Sequence, residues 1–188
     1  MFNIRTFLPL AVMMAVASPL AAQDAEKPAQ DAAAAEDPQK GPYFREESGE
    51  WKLECLRTGE EKEPCQLFQA AFDDQGNQLS NMRLFKLPSG EQAEAGAVVA
   101  VPLEVLLPAQ MILTIDEGKS KRYPYSVCDP LGCYARIGFT AEEVAEFKKG
   151  SKAVFEVVPF VAPNERMKIT FSLKGFTAGY DKIDVIPQ

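Results

Sequence analysis

The sequence contains no histidine among its 188 residues. Histidine is the usual general base of Ser-His-Asp and Cys-His nucleophilic sites, so catalysis by those arrangements in their usual form is excluded. The absence also removes the commonest protein ligand of transition metals. We therefore expect no metal site and no catalytic triad.

Other ligand-binding motifs are missing as well. No glycine-rich loop that would hold a phosphate follows a predicted strand, and no Asp-x-Asp-x-Asp loop that would hold calcium occurs. Lysine and arginine form no run longer than two after residue 22, and the formal net charge is -7. Because an acidic surface repels nucleic acid and anionic lipid, we expect neither as a partner, and we expect no cofactor.

Long hydrophobic runs are limited to the amino terminus. Residues 7–17 are apolar and uncharged, but a bilayer span takes roughly 20 residues. Arg5 precedes this run and small residues follow it, a pattern typical of a secretory signal peptide over residues 1–22. Removal of that segment deletes one arginine and no acid, so the formal charge changes from -7 to -8. We expect a periplasmic or secreted protein with no transmembrane segment after the signal peptide is removed.

Residues 23–42 are rich in alanine, proline and acidic residues, and they contain no aromatic or branched aliphatic residue. Such a segment buries too little apolar surface to offset the entropy lost on ordering. It is predicted to be a disordered linker. Residues 43–188 then form one domain of ordinary size.

The four cysteines all lie in the predicted domain, and an even number in an exported chain indicates disulfides. Three pairings are possible. Cys55–Cys65 and Cys128–Cys133 are favoured because each pair flanks a turn-rich segment. A structural zinc site fits less well, since nine and four residues separate the cysteines of each pair. A redox dithiol would favour the shorter Cys-x-x-Cys spacing.

Alternation of apolar and polar side chains predicts about nine short strands. Residues 50–56 are an example, because Trp51, Leu53 and Cys55 alternate with Lys52 and Glu54. Further strands are predicted at 65–72, 81–87, 97–101, 111–116, 122–128, 133–139, 153–158 and 167–173. The strands on either side of the Asp-Pro-Leu-Gly turn at 129–132 are predicted to form a hairpin closed by the second disulfide.

One helix is predicted at 140–149. Thr140 and Glu143 have the spacing of a capping box, and Gly150 stands where a carboxyl-terminal cap belongs. Many short strands with regular turn signals, one short helix and two disulfides predict an all-β fold. Its expected architecture is a disulfide-linked antiparallel β-sandwich.

Residues 102–108 (PLEVLLP) carry a proline at each end, which disfavours both a helix and a central strand. The segment therefore either crosses between two sheets or offers an apolar surface. Leu103, Val105, Leu106 and Leu107 are its candidate binding residues.

A set of short motifs occurs in the order seen in the invasion-associated locus B family. The set is Trp51, Cys55, Cys65, residues 105–108, Ile115-Asp116-x-Gly118, Cys128, Gly132-Cys133, Gly150, and Leu173-x-Gly175-Phe176-x-x-x-Tyr180-Asp181. Residues 51–183 therefore resemble that family. The resemblance implies an exported bacterial protein with an immunoglobulin-like sandwich, named for association with host-cell invasion and without established catalytic residues. The chain departs from the family pattern at Ala109-Gln110, where relatives carry a glycine after the proline.

Three functions are compatible with this sequence. The first is an exported non-enzymatic binding protein with a host or envelope protein as partner. The second is a periplasmic chaperone or assembly factor that captures a strand by edge addition, with residues 103–107 as the docking segment. The third is a hydrolase that uses paired carboxylates, which would require a deep cleft with two facing acids.

Overall fold

The structure is a computed structural model that describes residues 41–88 and 92–185. The predicted signal peptide and residues 23–40 of the predicted linker lie outside the described residues. The strands are β1 Gly41–Ser48, β2 Trp51–Arg57, β3 Cys65–Phe72, β4 Gln78–Lys86, β5 Ala95–Val101, β6 Met111–Ile115, β7 Lys121–Tyr123, β8 Val127–Asp129, β9 Gly132–Phe139, β10 Lys152–Val157 and β11 Met167–Ser172. The helices are α1 Ala141–Lys149 and α2 Phe176–Tyr180.

The strands form two antiparallel sheets. The larger sheet has seven strands in the order β1-β2-β3-β4-β5-β9-β8, and the smaller has four in the order β11-β10-β6-β7. β11 contacts β3, and β7 contacts β9, so the two sheets pack face to face. The predicted all-β, disulfide-linked sandwich is confirmed.

Alternating side chains supply the core, as the period of two predicts. On β4, Met82 and Leu84 are fully buried between the sheets. Arg83 and Phe85 point to the opposite, outer face of the larger sheet, where they are only partly buried.

Aromatic rings join the helices to both ends of the core. Phe139 on β9 lies 4.9 Å from Phe147 on α1, and Phe147 lies 5.3 Å from Phe176 on α2, as measured between ring centroids. Phe176 in turn meets Trp51 edge to face at 5.4 Å. Truncation of a buried ring of this kind to alanine typically costs about 3–5 kcal/mol.

Helix α1 begins as the sequence predicts. The Glu143 amide donates to Thr140 Oγ1, and the Thr140 amide donates to Glu143 Oε2 at 2.7 Å, which completes the capping box. Gly150 ends the helix with φ of -76°, a backbone conformation that other residues adopt, so the backbone does not require glycine at this position. A Cβ at this position would lie 2.8 Å from Ile115 Cγ2 and 2.9 Å from Leu173 Cδ1, so close packing excludes a side chain.

Glu143 also ties α1 to the smaller sheet. Its Oε1 accepts hydrogen bonds from Lys121 Nζ at 2.7 Å and from the Tyr123 hydroxyl at 3.0 Å. Burial alone would raise the pKa of Glu143, but bonds from Lys121, the Thr140 amide and Tyr123 outweigh burial and lower it. Burial and the same hydrogen bond raise the pKa of the Tyr123 hydroxyl.

A second short helix, α2, follows β11 in addition to the helix predicted at 140–149. Gly175 precedes it with φ of 86°, and a Cβ there would lie 2.0 Å from the Ser48 carbonyl oxygen. Ser48 Oγ donates to the Gly175 carbonyl at 2.9 Å. This close approach of two backbones holds α2 against β1 and β2.

Both favoured disulfides are present, Cys55–Cys65 and Cys128–Cys133. In each pair the cysteines stand directly opposite one another on neighbouring antiparallel strands, β2 with β3 and β8 with β9. No free cysteine remains in the described part of the chain, so its thiols form neither a zinc site nor a dithiol.

One strand prediction was wrong. The single strand predicted at 122–128 is two strands, because Pro124 interrupts it. β7 belongs to the smaller sheet and β8 to the larger, so the chain changes sheets there. The predicted linker also ends too late, since Gly41 and Pro42 pair with β2 as the start of the edge strand β1.

Residues 102–110 connect β5 in the larger sheet with β6 in the smaller one. This is the sheet-crossing arrangement considered for the segment. Within the described ranges, neither helix is long and apolar enough to cross a membrane.

Gly175→Ala should destabilise the domain strongly, because a methyl group would meet both an unfavourable φ and the Ser48 carbonyl. Gly59→Ala is the matched control, since Gly59 has φ of 78° but a methyl group there would have nothing within 4 Å. We expect a loss of about 1–2 kcal/mol for Gly59→Ala from backbone conformation alone. Gly175→Ala should lose about 3 kcal/mol or more in urea unfolding. Equal losses would contradict the role of the close approach.

Protonation of Glu143 should lower the free energy of unfolding at acid pH. Its folded pKa is lower than its unfolded value, so the stabilisation is complete above about pH 4.3 and is lost as the pH falls through the folded pKa. The free energy of unfolding of wild type relative to Glu143→Gln should therefore decline below that pH, by at most about 1.4 kcal/mol per pH unit. Tyr123→Phe removes one donor and should give a weaker decline. Parallel curves for wild type and Glu143→Gln would contradict the assignment.

Candidate functional site

The crossover at residues 102–110 is held against the end of β10. The Leu106 amide donates to the Val158 carbonyl at 2.8 Å, and the Phe160 amide donates to the Glu104 carbonyl at 2.6 Å. Arg122 Nη1 donates to the Ala109 carbonyl at 3.1 Å from the other side. The segment is therefore fixed by hydrogen bonds to its neighbours, although it belongs to neither sheet.

The four candidate binding residues of the crossover do not share one exposed face. Leu103 is 45% exposed and Leu107 is 48% exposed, whereas Leu106 is partly buried. Val105 is only 8% exposed and belongs to the core, where it forms an isolated bridge with Pro159. Val105 is therefore not available to a partner, and Leu103 and Leu107 are the accessible members of the set.

Other exposed apolar side chains lie beside these leucines. Leu131, at the tip of the β8–β9 hairpin, is 88% exposed and lines a depression of about 330 Å³ together with Leu103. Phe160, whose amide is bonded to the Glu104 carbonyl, and the adjacent Val161 are also largely exposed. We call Leu103, Leu107, Leu131, Phe160 and Val161 the crossover surface. Single exposed apolar residues are ordinary, but a group of them marks an interaction surface.

The crossover backbone is strained at two positions. Glu104 has φ of 62°, and Gln110 has φ of 60° with ψ of 164°, a combination that glycine normally occupies. Gln110 lies at the Ala109-Gln110 departure from the family pattern. Each such residue costs about 1–3 kcal/mol, so the surrounding contacts impose the shape of the segment.

Leu131, Phe160 and Val161 were missed as site residues at the level of sequence. All three come one or two residues after a proline, since Leu131 follows Pro130 and Phe160 follows Pro159. Large apolar side chains are unusual in turns, which favour small and polar residues. That contrast is the signal that could have identified them.

The outer face of the larger sheet carries a second ordered group of side chains. Glu54 is almost completely buried there, and Arg83 donates to it from Nε at 2.8 Å and from Nη2 at 3.1 Å. Gln66 Nε2 donates to the same carboxylate at 2.7 Å. The Arg83 guanidinium also lies 4.9 Å from the centre of the Phe68 ring. Both oxygens of the carboxylate thus accept hydrogen bonds from protein side chains.

Paired-carboxylate hydrolysis gains no support from the buried acids. Within the described ranges these are Glu54 on β2 and Glu143 on α1, and each is bonded to a basic side chain. No group of three or more potential metal-ligating side chains occurs in residues 41–88 and 92–185. The chemistry available at the crossover surface is therefore apolar contact.

Known proteins resemble this chain in sequence and in fold. The model of the family described as "Invasion associated locus B (IalB) protein" matches residues 51–184. Two proteins of Brucella abortus, from strain 2308 and from biovar 1 strain 9-941, bear the name invasion protein B homolog. Each is 26% identical over 140 residues, which cover 74% of this chain and 78% of the relative.

The crystal structure of invasion associated protein B from Bartonella henselae superposes on this fold with a TM-score of 0.63. The match covers 73% of this chain and 93% of that one at 22% identity, a level at which the likeness concerns the fold. Since the family model extends over most of the described domain, the chain belongs to the invasion associated locus B (IalB) family.

Proposed function

We propose that this chain is an exported, non-enzymatic binding protein that holds a protein partner of the host or the bacterial envelope at the crossover surface. The observation that carries the proposal is the set of exposed apolar side chains, of which Leu103 and Leu107 lie on a segment with an imposed backbone shape. A rigid apolar patch can be desolvated by a partner without a large loss of chain entropy.

The exposed side chains of the crossover surface would contribute apolar burial to a complex. Complete burial of a leucine or phenylalanine side chain is worth about 1.5–3 kcal/mol, so the half-exposed Leu103 and Leu107 would each contribute about 1 kcal/mol. Phe160 and Leu131, which are more exposed, would contribute more. A few central apolar anchors of this kind usually dominate the affinity of an interface.

Export is supported by the two disulfides, which persist in oxidising compartments, and by membership of the family. The names of the Brucella and Bartonella proteins refer to invasion and support a role at the boundary between bacterium and host. The signal peptide proposed over residues 1–22 gives the route of export.

Edge capture by residues 103–107 is less well supported. One backbone edge of this segment is already bonded to residues 158–160, as the Leu106 and Phe160 hydrogen bonds show. An incoming strand would find fewer free donors and acceptors there than the sequence alone indicated.

The proposal predicts that Leu103→Ser combined with Leu107→Ser weakens partner binding at least tenfold, which is about 1.4 kcal/mol. Leu56→Ser is the matched control, because Leu56 is exposed to a similar degree, 46%, but lies on the outer face of the larger sheet. Immobilised wild type and variants would be exposed to envelope and host-cell extracts, and captured proteins would be quantified by mass spectrometry. The partner would then be purified and its Kd measured by calorimetry.

A captured protein that binds wild type and the double variant equally would contradict the placement of the site. Turnover of a substrate in an activity screen, abolished by one carboxylate substitution, would contradict the non-enzymatic assignment. Thermal unfolding of each variant checks that the domain remains folded.

A further inference from the structure

The strand β11 has one open backbone edge among residues 41–88 and 92–185. Within these ranges it pairs with β10 on one side only and ends the smaller sheet. The Leu173 amide donates to the Ser151 carbonyl, which fixes the residues of β11 that bond to β10. Because bonded and non-bonded pairs alternate in an antiparallel ladder, Lys168, Thr170 and Ser172 direct their amide and carbonyl groups away from β10.

One end of this edge is closed by side chains. The Ser172 carbonyl accepts from Trp51 Nε1 at 2.9 Å and from Gln69 Nε2 at 3.0 Å. No hydrogen bond joins the outward groups of Thr170 or Lys168 to any other residue in the ranges that the structure describes. The open part of the edge therefore offers an unused donor and acceptor at each of two alternate residues.

A cleft of about 500 Å³ lies beside the open edge. Thr170 and Ser172 line it on one side, and the end of β3 lines it on the other, with Phe72 60% exposed. The pairing of β3 with β2 stops at Phe68, so the side of β3 toward β2 is also unpaired at its end. The rings of Phe44 and Phe68, 5.3 Å apart, complete a phenylalanine wall, with Lys52 Nζ 5.3 Å from the centre of the Phe44 ring.

The charges of the cleft indicate an uncharged occupant. Its lining contains one acidic side chain, Glu50, and one basic side chain, Lys52, so the charges balance. The remaining polar groups are amides, hydroxyls and the free backbone of β11, which complement another peptide backbone and not an ion. An extended strand with alternate apolar residues would form hydrogen bonds with the free backbone groups of β11 and pack its apolar side chains against the phenylalanine wall.

We propose that this cleft binds an uncharged extended polypeptide segment, which adds as a strand to the open edge of β11 and places alternate apolar side chains against Phe72 and Phe44. The site adjoins the crossover surface, since Gln78 lines both depressions, but it does not include the exposed leucines. The peptide-binding cleft rests on the same binding role as the proposed function, but it lies at a different place and takes an uncharged extended segment.

The test uses the purified protein and an acetylated, amidated peptide of about seven alternating valine and threonine residues, which spans about 23 Å. Calorimetry gives the Kd, and NMR of the labelled protein locates the contact. We expect saturable binding with the largest amide shifts at Thr170, Lys168 and the end of β3. A control peptide of the same sequence, N-methylated at every amide, should bind at least tenfold more weakly, because it has no amide donor with which to form the ladder.

Thr170→Pro is the decisive variant. It removes an outward amide that the fold does not use, and proline is tolerated at such positions of an edge strand. The peptide should bind it at least tenfold more weakly, whereas Thr170→Val, which keeps the amide, should bind as wild type does. If Thr170→Pro does not fold, Phe72→Ser takes its place in the test. Phe72 is exposed, so this substitution should leave the fold intact while it removes part of the phenylalanine wall.

No binding of the peptide, or equal binding of the N-methylated peptide, would overturn the proposal. The proposal would also be overturned if Thr170→Pro bound the peptide as tightly as wild type, or if Phe72→Ser did so when it is used in place of Thr170→Pro. The double variant Leu103→Ser and Leu107→Ser should bind the peptide normally, so a failed crossover surface and a failed cleft give different results.

Discussion

The covering of the larger sheet is the constraint on which the fold depends. Four strands face seven, and with strands about 4.8 Å apart the smaller sheet is about 14 Å narrower than the larger one. Helix α2 packs on β1 and β2, and α1 packs on β9, so the helices complete the cover. The aromatic chain from Phe139 through Phe147 and Phe176 to Trp51 is the contact by which they do so.

Local features of the fold could be predicted from the sequence, and long-range ones could not. The capping box at Thr140, the alternation on β4 and both disulfides depend on residues close together in the chain. The division of residues 122–128 between two sheets depends on distant partners, with Pro124 as its only local sign. β1 was missed for a different reason: it pairs with the adjacent β2, but its exposed edge position gives little alternation of apolar and polar side chains.

The candidate site shows the same limit more clearly. Apolar character identified the crossover, but burial of Val105 and exposure of Leu103 depend on how the segment lies against residues 158–160. The open edge of β11 has no signature in side chains at all, because its unused groups are backbone atoms. Contacts of this kind are apolar or uncharged, so association at these places should depend little on salt.

Both disulfides join strands within the larger sheet, and neither reaches the smaller one. The covalent framework therefore resists fraying of individual hairpins but does nothing to keep the two layers together. Cooperative opening of the interlayer region would leave every cross-link intact, and hydrogen exchange would register it as a subglobal event. Resistance to reductants and resistance to layer separation are thus independent properties of this molecule, set by different parts of its sequence.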